Sequence, residues 1–283
     1  MVVFIVLLWI FVVDKSYIKF ENFQKNAGLW HHTGNLRVIL KYAYHNNMIP
    51  IIPMFELGEP EGMGSERIFD SNLSEYYDYS ELKIDGKPFE VILDDEHLRE
   101  KLFHRGVIPN TIDVFDFSKT HLGKQGKYVG YFIGIEELMV DGNVDIELPF
   151  HQHLVDISSN VINHLGKYVC VHVRRGDVLS QYSDIDEATQ SENILKVLDE
   201  LVDDSYNVYI MTNEFDLTLF DDITKKYNTY FYTDFANLKG FDDNYKLFSI
   251  ELLIMKSANK KVSTFERNYI HNIGQCDRWL YES

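Results

Sequence analysis

The stretch Tyr168-Val169-Cys170-Val171-His172-Val173-Arg174-Arg175-Gly176-Asp177 is the most informative part of this chain. It starts as a short run of apolar and β-branched residues, which predicts a fully buried strand. Two arginines, a glycine and an aspartate follow without a spacer. In open α/β sheets, ligands bind outside the carboxyl ends of the strands, and arginine offers the planar fork of donors that suits a phosphate. Arg174 and Arg175 are therefore candidate anion ligands, and pairing with some of the 44 acidic side chains is the alternative.

Beyond this strand, helices and strands alternate with short connections. The hydrophobic spacing predicts helices over 188–203, 216–227 and 244–258, and strands over 207–212 and 229–233. The last of these helices follows the pair Asp242-Asp243, which predicts an N-terminal cap. Such an alternation predicts an α/β fold with a parallel, doubly wound sheet.

The N-terminal part of the chain carries a shorter version of the same pattern. A strand over 16–20, a polar loop through Asn22, Asn26 and Gly28, a helix that follows Thr33-Gly34-Asn35 and a strand over 48–53 predict one βαβ unit. Residues 56–82 lack a clear period and are predicted to form surface loops. A junction between 141 and 160 would divide the chain into an N-terminal domain, 14–150, and a C-terminal domain, 151–283.

The composition limits the classes of partner and site. A net charge of −17 over 283 residues argues against nucleic acid or an anionic membrane surface as the main partner. An anionic ligand remains compatible with this charge if a few arginines are concentrated in a cleft. The only cysteines, Cys170 and Cys276, exclude a disulfide scaffold and a cysteine-rich zinc site. Cys170 is predicted to be an inert residue of the core.

Residues 1–13 are wholly apolar and end at Asp14-Lys15. They are shorter than the roughly 20 residues that a membrane-spanning helix needs, and they lack the charged start and cleavage site of a signal peptide. We interpret them as a short or truncated membrane anchor, with a buried first strand as the alternative. The sequon Asn72-Leu73-Ser74 fits a lumenal location. A tether in the Golgi or ER lumen and a cytoplasmic location therefore both stay open.

Three polar segments follow predicted strands in the C-terminal half, namely Arg174-Arg175-Gly176-Asp177, Thr212-Asn213-Glu214 and Ser263-Thr264. Because parallel strands end at one edge of a sheet, these segments are predicted to meet at one crevice. The hydroxyl groups of Ser263-Thr264, at the start of a helix, suit a phosphate, and a cap without ligand is the alternative. A glycine-rich phosphate loop is absent from the sequence, which argues against kinase or GTPase chemistry.

These segments carry a resemblance to a known family. His172-Val173-Arg174-Arg175-Gly176-Asp177 resembles the first signature, His-x-Arg-Arg-x-Asp, of the GDP-fucose-dependent fucosyltransferases that make α1,2-, α1,6- and protein O-linked fucose. The segment 208–214 resembles their second signature, a strand ending in Thr/Ser-Asp-Glu, and 250–265 resembles the third. Thr33-Gly34-Asn35-Leu36 is similar to the family's Gly-Asn loop.

The sequence also departs from the family pattern in three places. Asn213 stands where the second signature usually has aspartate, and Lys260-Lys261 interrupts the apolar strand before the third signature. The glycine loop is preceded by His31-His32. These departures affect the prediction of the sugar donor and the acceptor more than the prediction of the fold.

The resemblance implies a GT-B-like fold in which two Rossmann-like domains face a central cleft. It implies a glycosyltransferase that moves fucose from GDP-fucose to a hydroxyl of a glycan or protein, with inversion and without a metal ion. The substrate-binding residues that it implies are Gly34, Asn35, His172, Arg174, Arg175, Asp177, Ser263, Thr264 and Phe265, with Asp242 or Asp243 as candidates for the guanine contact. Arg174 would stabilise the leaving diphosphate, because guanidinium donors can do so in place of a metal ion.

The acceptor hydroxyl also calls for a general base. His32 stands at the position of that base in some relatives, and histidine titrates in the useful range; a surface or structural histidine is the alternative.

Asp184-x-Asp186 and His151-x-His153 resemble metal-binding pairs. Helix capping is the simpler role for the aspartates, and the histidines lack a third ligand, so both observations argue against a metal site. Two further alternatives are a transferase with another nucleotide sugar and a nucleotide-sugar-binding protein that has lost transfer.

Overall fold

The computed structural model describes residues 16–21, 28–55, 57–58, 72–107, 111–116, 144–176, 179, 183–241 and 243–263. The strands are β1 Ser16–Glu21, β2 Met48–Pro53, β3 Lys83–Ile84, β4 Lys87–Pro88, β5 Ile92–Asp94, β6 Ile112–Asp116, β7 Ile146–Glu147, β8 Tyr168–Val173, β9 Asn207–Thr212, β10 Thr229–Tyr230 and β11 Lys260–Ser263. The helices are α1 Leu29–His45, α2 Leu98–His104, α3 Gln152–Leu165, α4 Ser183–Ala188, α5 Ser191–Leu201, α6 Asp221–Lys226, α7 Ala236–Lys239 and α8 Asn244–Ser257. None of the helices in these ranges is long and apolar enough to cross a bilayer.

The fold is mixed α/β with two parallel four-stranded sheets. Sheet I has the strand order β5-β2-β1-β6, and sheet II has the order β10-β9-β8-β11. Every pairing within these two sheets is parallel. A small antiparallel sheet, β4-β3-β7, accompanies them. The predicted α/β class with parallel strands is therefore confirmed.

The two sheets share one hydrophobic core. The largest cluster of buried side chains contains Ile18 and Leu36 from the N-terminal half and Tyr168, Tyr209 and Ile254 from the C-terminal half. A second cluster lies on the other face of sheet II, where the valines of β8 pack under α5 and α6. All six residues of β8 are buried, because both faces of this strand are covered. Cys170, which is fully buried, is a core residue as predicted.

α8 is the helix that packs directly over sheet II. It lies against α3 and β8, and it is apolar on most of its surface because it is enclosed on several sides. Its N-terminus is capped by Asp243, whose carboxylate accepts a hydrogen bond of 3.0 Å from the backbone N–H of Lys246. The predicted helix and its cap by this aspartate are confirmed.

The prediction of surface loops is wrong for residues 72–82. Tyr76 is fully buried there, and Tyr77 is 3% exposed and forms an isolated β-bridge with Phe150. Two short 3-10 turns, Leu73–Glu75 and Tyr79–Glu81, replace regular structure. Irregular turns leave no periodic signal, so only the distant contacts of these tyrosines show that the segment belongs to the core.

Three local predictions in the C-terminal half need correction. The predicted helix 188–203 is the shorter α5, and the helices α4 and α3 were not predicted. α3 nevertheless has a helical spacing of buried residues at 154, 158, 161 and 165. β10 is shorter than the predicted 229–233, because the carboxylate of Asp234 accepts the backbone N–H of Phe231 at 2.7 Å and starts a 3-10 turn.

Candidate functional site

The carboxyl edge of sheet II, where its parallel strands end, brings three polar segments together. β8 pairs with β11 so that Ser263 lies opposite His172. β8 and β9 end level with each other, so Arg174 and Asn213, the first residues after them, leave the sheet side by side. The prediction that these segments meet at one edge is confirmed for the described residues.

His172 is the last polar residue of β8 before this edge. Its side chain is 6% exposed, and its ring centroid lies 6.4 Å from that of Phe248 in α8. Burial, together with the nearby charge of Arg174, lowers the pKa of His172 to about 3. His172 is therefore a neutral hydrogen-bonding group at physiological pH and does not take up a proton there.

Arg175 lies inside a cluster of internal partners. Its guanidinium donates to the Glu214 carboxylate at 2.9 Å and to the Asp186 carboxylate at 2.7 Å, and it also donates to the hydroxyl of Thr189. The Arg175 residue is 8% exposed. The predicted alternative, pairing with acidic side chains, thus describes the contacts of Arg175. A ligand contact by Arg175 stays a prediction.

Glu214 connects this cluster to the loop after β9. One of its carboxylate oxygens binds Arg175, and the other accepts the backbone N–H groups of Phe215 at 2.9 Å and Asp216 at 3.1 Å. The backbone N–H of Glu214 donates to the hydroxyl of Thr212 at 3.0 Å. The side chain of Glu214 therefore helps to hold the loops that leave β8 and β9 to each other.

Arg174 sits between the strand and this cluster. It directly follows Val173, the last residue of β8, and its side chain is half-buried. Its charge is close enough to His172 to lower the pKa of that ring. The guanidinium therefore lies by the part of the edge where His172 pairs with Ser263.

The predicted residues of the N-terminal half lie within α1 and not in a loop. α1 begins at Leu29, so Gly34 and Asn35 fall in its second turn, and the prediction of a glycine loop is wrong. The hydroxyl of Thr33 donates to the carbonyl of Leu29 at 2.8 Å, as in a continuous helix, and also bonds the hydroxyl of Tyr77 at 3.0 Å. Burial raises the pKa of Tyr77 to about 12.

Asn35 and His32 are buried in this helix. Asn35 is 6% exposed, and its Nδ2 has no hydrogen-bond partner among the described residues. His32 is 1% exposed, with its ring centroid 4.9 Å from that of Phe55. The alternative of a surface histidine is therefore wrong, and the interior position of His32 fits the structural alternative.

Two contacts join the loops of sheet I to the N-terminus of α8. The hydroxyl of Tyr245 donates to the carbonyl of Gly58 at 2.8 Å, and the hydroxyl of Tyr76 lies 3.3 Å from a carboxylate oxygen of Asp243. Gly58 follows β2, and α8 begins beside the carboxyl edge of sheet II because it runs antiparallel to β11. Sequence reasoning missed both tyrosines, since nothing local distinguishes them from other aromatic residues.

Several predicted site residues lie outside the described residues, namely Asp177, Asp242, Thr264 and Phe265. Nothing in the described ranges forms a group of three or more His, Cys, Asp or Glu that could hold a metal ion. His151 and His153 stack with ring centroids 6.0 Å apart. Asp186 lies within α4, and its carboxylate is a partner of Arg175, a role that its spacing in the sequence does not reveal.

Comparisons with known proteins found likenesses among solved structures alone. No protein-family model and no curated protein matches the chain. The chain is similar to NodZ α-1,6-fucosyltransferase soaked with GDP-fucose, at 12% identity over 94% of this chain and 93% of that chain, with a TM-score of 0.47. It is similar to POFUT1 in complex with GDP-fucose, at 10% identity over 89% of this chain and 98% of that chain, with a TM-score of 0.47.

A third match is the fucosyltransferase NodZ from Bradyrhizobium, at 12% identity over 94% of each chain, with a TM-score of 0.46. These values lie below the level that establishes membership of a family.

Proposed function

We propose that this protein is a glycosyltransferase that transfers fucose from GDP-fucose to a hydroxyl of a glycan or protein, with inversion and without a metal ion. The donor diphosphate would lie at the carboxyl edge of sheet II. One observation carries the proposal: Ser263 lies opposite His172 in the pairing of β11 with β8. His172 precedes Arg174 by two residues, so the first and third signature segments share one edge. A hydroxyl and a guanidinium at the ends of adjacent parallel strands suit a phosphate group.

The buried amide of Asn35 gives independent support for a ligand. A buried donor without an acceptor costs on the order of 1–3 kcal/mol, and such groups in native proteins call for an explanation. The Nδ2 of Asn35 is such a donor among the described residues. An oxygen of the nucleotide sugar would satisfy it.

The contacts between the two halves fit a GT-B-like arrangement of two Rossmann-like halves. Tyr245 contacts Gly58, and Tyr76 approaches Asp243, at the loops where sheet I and α8 meet. A ligand held between the carboxyl edges of two parallel sheets would lie beside these contacts. The division near residue 150 and the cleft itself are part of this proposal.

The chemistry assigns separate roles to the residues at the edge. Breaking the bond between fucose and diphosphate develops negative charge on the phosphate oxygens, and Arg174 would stabilise that charge through preorganised donors. His172, whose pKa of about 3 keeps it neutral, would offer a hydrogen bond to the nucleoside. Because the guanidinium neutralises the leaving group, we expect turnover to be unchanged by EDTA.

A base for the acceptor hydroxyl is the remaining requirement. His32 stays the predicted base, and its substitution by glutamine tests that role. The ring lies against Phe55 within the core, so a base function requires the acceptor to reach the N-terminal part of α1. Loss of transfer with unchanged GDP binding in His32→Gln would support this role, and unchanged transfer would exclude it.

The deciding experiment measures GDP release from GDP-fucose by the wild type and Arg174→Lys. Lysine keeps the charge but loses the fork of donors, so we expect a fall in kcat of about 100-fold, which is typical for the loss of one oxyanion donor. Arg99→Lys, an exposed arginine of α2, is the matched control. GDP-mannose and UDP-sugars replace GDP-fucose in parallel reactions.

Each result separates the proposal from its alternatives. Turnover of a different nucleotide sugar would replace fucose as the donor while keeping the site. Tight GDP binding with no release of GDP from any sugar nucleotide would favour a binding protein. Unchanged activity of Arg174→Lys would refute the role of this residue.

A further inference from the structure

The direction in which Arg174 leaves sheet II is controlled by a side chain from the neighbouring strand. The peptide group between Arg174 and Arg175 donates its N–H to the Oδ1 of Asn213 at 2.8 Å. This hydrogen bond fixes the orientation of the peptide plane that follows Arg174, and therefore one of the two backbone dihedrals of that residue. Asn213 is the first residue after β9.

The position of Asn213 depends on a glycine in the opposite loop. A Cβ atom built on Gly176 would lie 2.5 Å from the Nδ2 of Asn213, closer than real contacts allow. Gly176 also has φ +32°, in the left-handed region that favours glycine. The amide of Asn213 therefore occupies the space that a side chain at position 176 would need.

The cluster around Arg175 supports the same arrangement from the other side. Arg175 binds Glu214 at 2.9 Å and Asp186 at 2.7 Å, so its side chain is tied to both the loop after β9 and α4. Arg175 is thus held twice, through its backbone N–H by Asn213 and through its side chain by the carboxylates. Because Arg174 directly precedes this residue, the backbone that leads out of its Cα atom is held with it.

We propose that Asn213 is a positioning residue that orients Arg174 toward the donor diphosphate, and that Gly176 permits this by leaving room for its amide. This inference rests on the proposed function and deepens it. Asn213 acts through the backbone N–H of Arg175 and touches no reacting atom. It also accounts for a sequence departure: asparagine, like aspartate, offers an oxygen acceptor to that N–H.

The test compares Asn213→Ala, Asn213→Asp, Gly176→Ala and the double variant Gly176→Ala/Asn213→Ala. GDP binding is measured by calorimetry, which reports the fraction of competent protein as stoichiometry, and GDP release from GDP-fucose gives kcat and KM. For Asn213→Ala we expect kcat to fall by at least about tenfold, because small misplacements of a catalytic group are costly, with the stoichiometry unchanged. Asn213→Asp keeps the acceptor and is expected to restore kcat to within about threefold.

The double variant isolates the contact between the two residues. In the wild-type background, Gly176→Ala displaces the amide of Asn213 and is expected to lower kcat as Asn213→Ala does. Once Asn213 is alanine there is no amide to displace, so only the cost of alanine at the left-handed φ of residue 176 remains. Because that cost is the same in both backgrounds, Gly176→Ala should lower kcat less in the Asn213→Ala background than in the wild type, and the effects should be non-additive. Asn228→Ala is the matched control, because its side chain also joins neighbouring strands, through Asn207 at 2.7 Å, but at the opposite edge of sheet II.

The outcomes distinguish this inference from the proposed function. Suppose that the wild type binds GDP. If Asn213→Ala then keeps the wild-type kcat, or loses activity only in proportion to its GDP stoichiometry, the positioning role is overturned and the proposed function stands. The same holds if aspartate at 213 is no better than alanine. If the wild type fails to bind GDP, binding of inorganic pyrophosphate becomes the measurement. Pyrophosphate binding that is weakened in Asn213→Ala would support the positioning role alone, and binding of neither anion would overturn both claims.

Discussion

Single residues at the carboxyl edge of sheet II have distinct electrostatic roles. Adjacent arginines in the sequence lie in different environments, since Arg175 is enclosed by Glu214, Asp186 and Thr189 while Arg174 is half-buried beside His172. A buried ion pair contributes little net stability when intact, but the loss of one partner leaves a charge without compensation. The structure of this edge therefore depends on the carboxylates as much as on the arginines.

We predict that Glu214→Gln lowers the free energy of unfolding by about 1.5–3 kcal/mol, the range for a hydrogen bond to a charged group, because Asp186 still pairs with Arg175. Glutamine keeps the shape but removes the charge that faces Arg175, which is 8% exposed. Urea unfolding measures the effect. Glu147→Gln is the control, because Glu147 and Lys83 form an exposed ion pair at 3.8 Å, for which a change below about 1 kcal/mol is expected. Equal effects of the two substitutions would contradict this assignment.

His172 is predicted to stay neutral throughout the physiological pH range. Its pKa of about 3 lies far below the ordinary value of 6.5, because burial and Arg174 disfavour the charged ring. In proton NMR spectra, the ring signals of His172 should not titrate between pH 5 and 8. Titration of His172 near pH 6.5 would show that the ring is open to solvent.

At the scale of elements, α8 connects most features of the site. Its first turn carries the Asp243 cap and Tyr245, its middle carries Phe248 beside His172, and its C-terminus leads into β11 and Ser263. The helix is tied to the sheet by a buried polar pair, in which the hydroxyl of Tyr209 donates to the carboxyl of Glu251 at 2.9 Å. The position of α8 therefore affects the whole carboxyl edge of sheet II.

The state of Glu251 predicts a pH dependence of stability. The group is 5% exposed, and burial raises its pKa from 4.5 to about 8. Between these two values the folded protein holds a proton that the unfolded chain has released. Stability therefore falls as pH rises from about 4.5 to about 8, by at most about 5 kcal/mol in total, and above pH 8 this group has no further effect on stability.

Urea unfolding at pH 5, 6.5, 8 and 9 measures this dependence. Glu251→Gln, which keeps an acceptor for Tyr209 but cannot ionise, should lose this part of the slope. The buried thiol of Cys170, whose pKa is raised well above its ordinary value, is not expected to ionise below pH 9. Glu200→Gln, an exposed glutamate of α5, should keep the wild-type slope. If the wild type, Glu251→Gln and Glu200→Gln all show the same change of stability with pH, the dependence comes from groups other than Glu251.

At the scale of the whole molecule, the shared core couples the two halves. Side chains from both sheets belong to one cluster of buried residues, so neither half completes its core alone. We predict that Leu36→Ala, at a fully buried position in α1, lowers stability by about 2–5 kcal/mol. Hydrogen exchange should show the loss equally in peptides from β1 and β8, since both strands open in one cooperative unit.

The control for this coupling is Val197→Ala, at an exposed position of α5. Its effect on exchange is expected to be small in both strands. If Leu36→Ala lowers the protection of β1 and leaves β8 unchanged, the two halves unfold as separate units, and the shared core does not couple them.

The elements with clear local patterns were predictable from the amino-acid sequence. β8, β9 and α8 were each predicted nearly to their ends, because a buried strand and an apolar helix with an aspartate cap have signals within a few residues. Parallel pairing then followed from the alternation of the two kinds of element. The meeting of Arg174, Asn213 and Ser263 at one edge was predictable for the same reason.

Tertiary structure alone decided which partners these residues have. The sequence could not tell that Arg175 is enclosed, that Tyr76 is buried beside Asp243, or that α1 starts before Gly34. Local periodicity is set by neighbours along the chain, whereas burial and ion pairing are set by residues that are distant in sequence and close in space. The amino-acid sequence therefore determined the class of fold and the edge at which its polar segments gather, and packing determined which of the two arginines is enclosed among carboxylates.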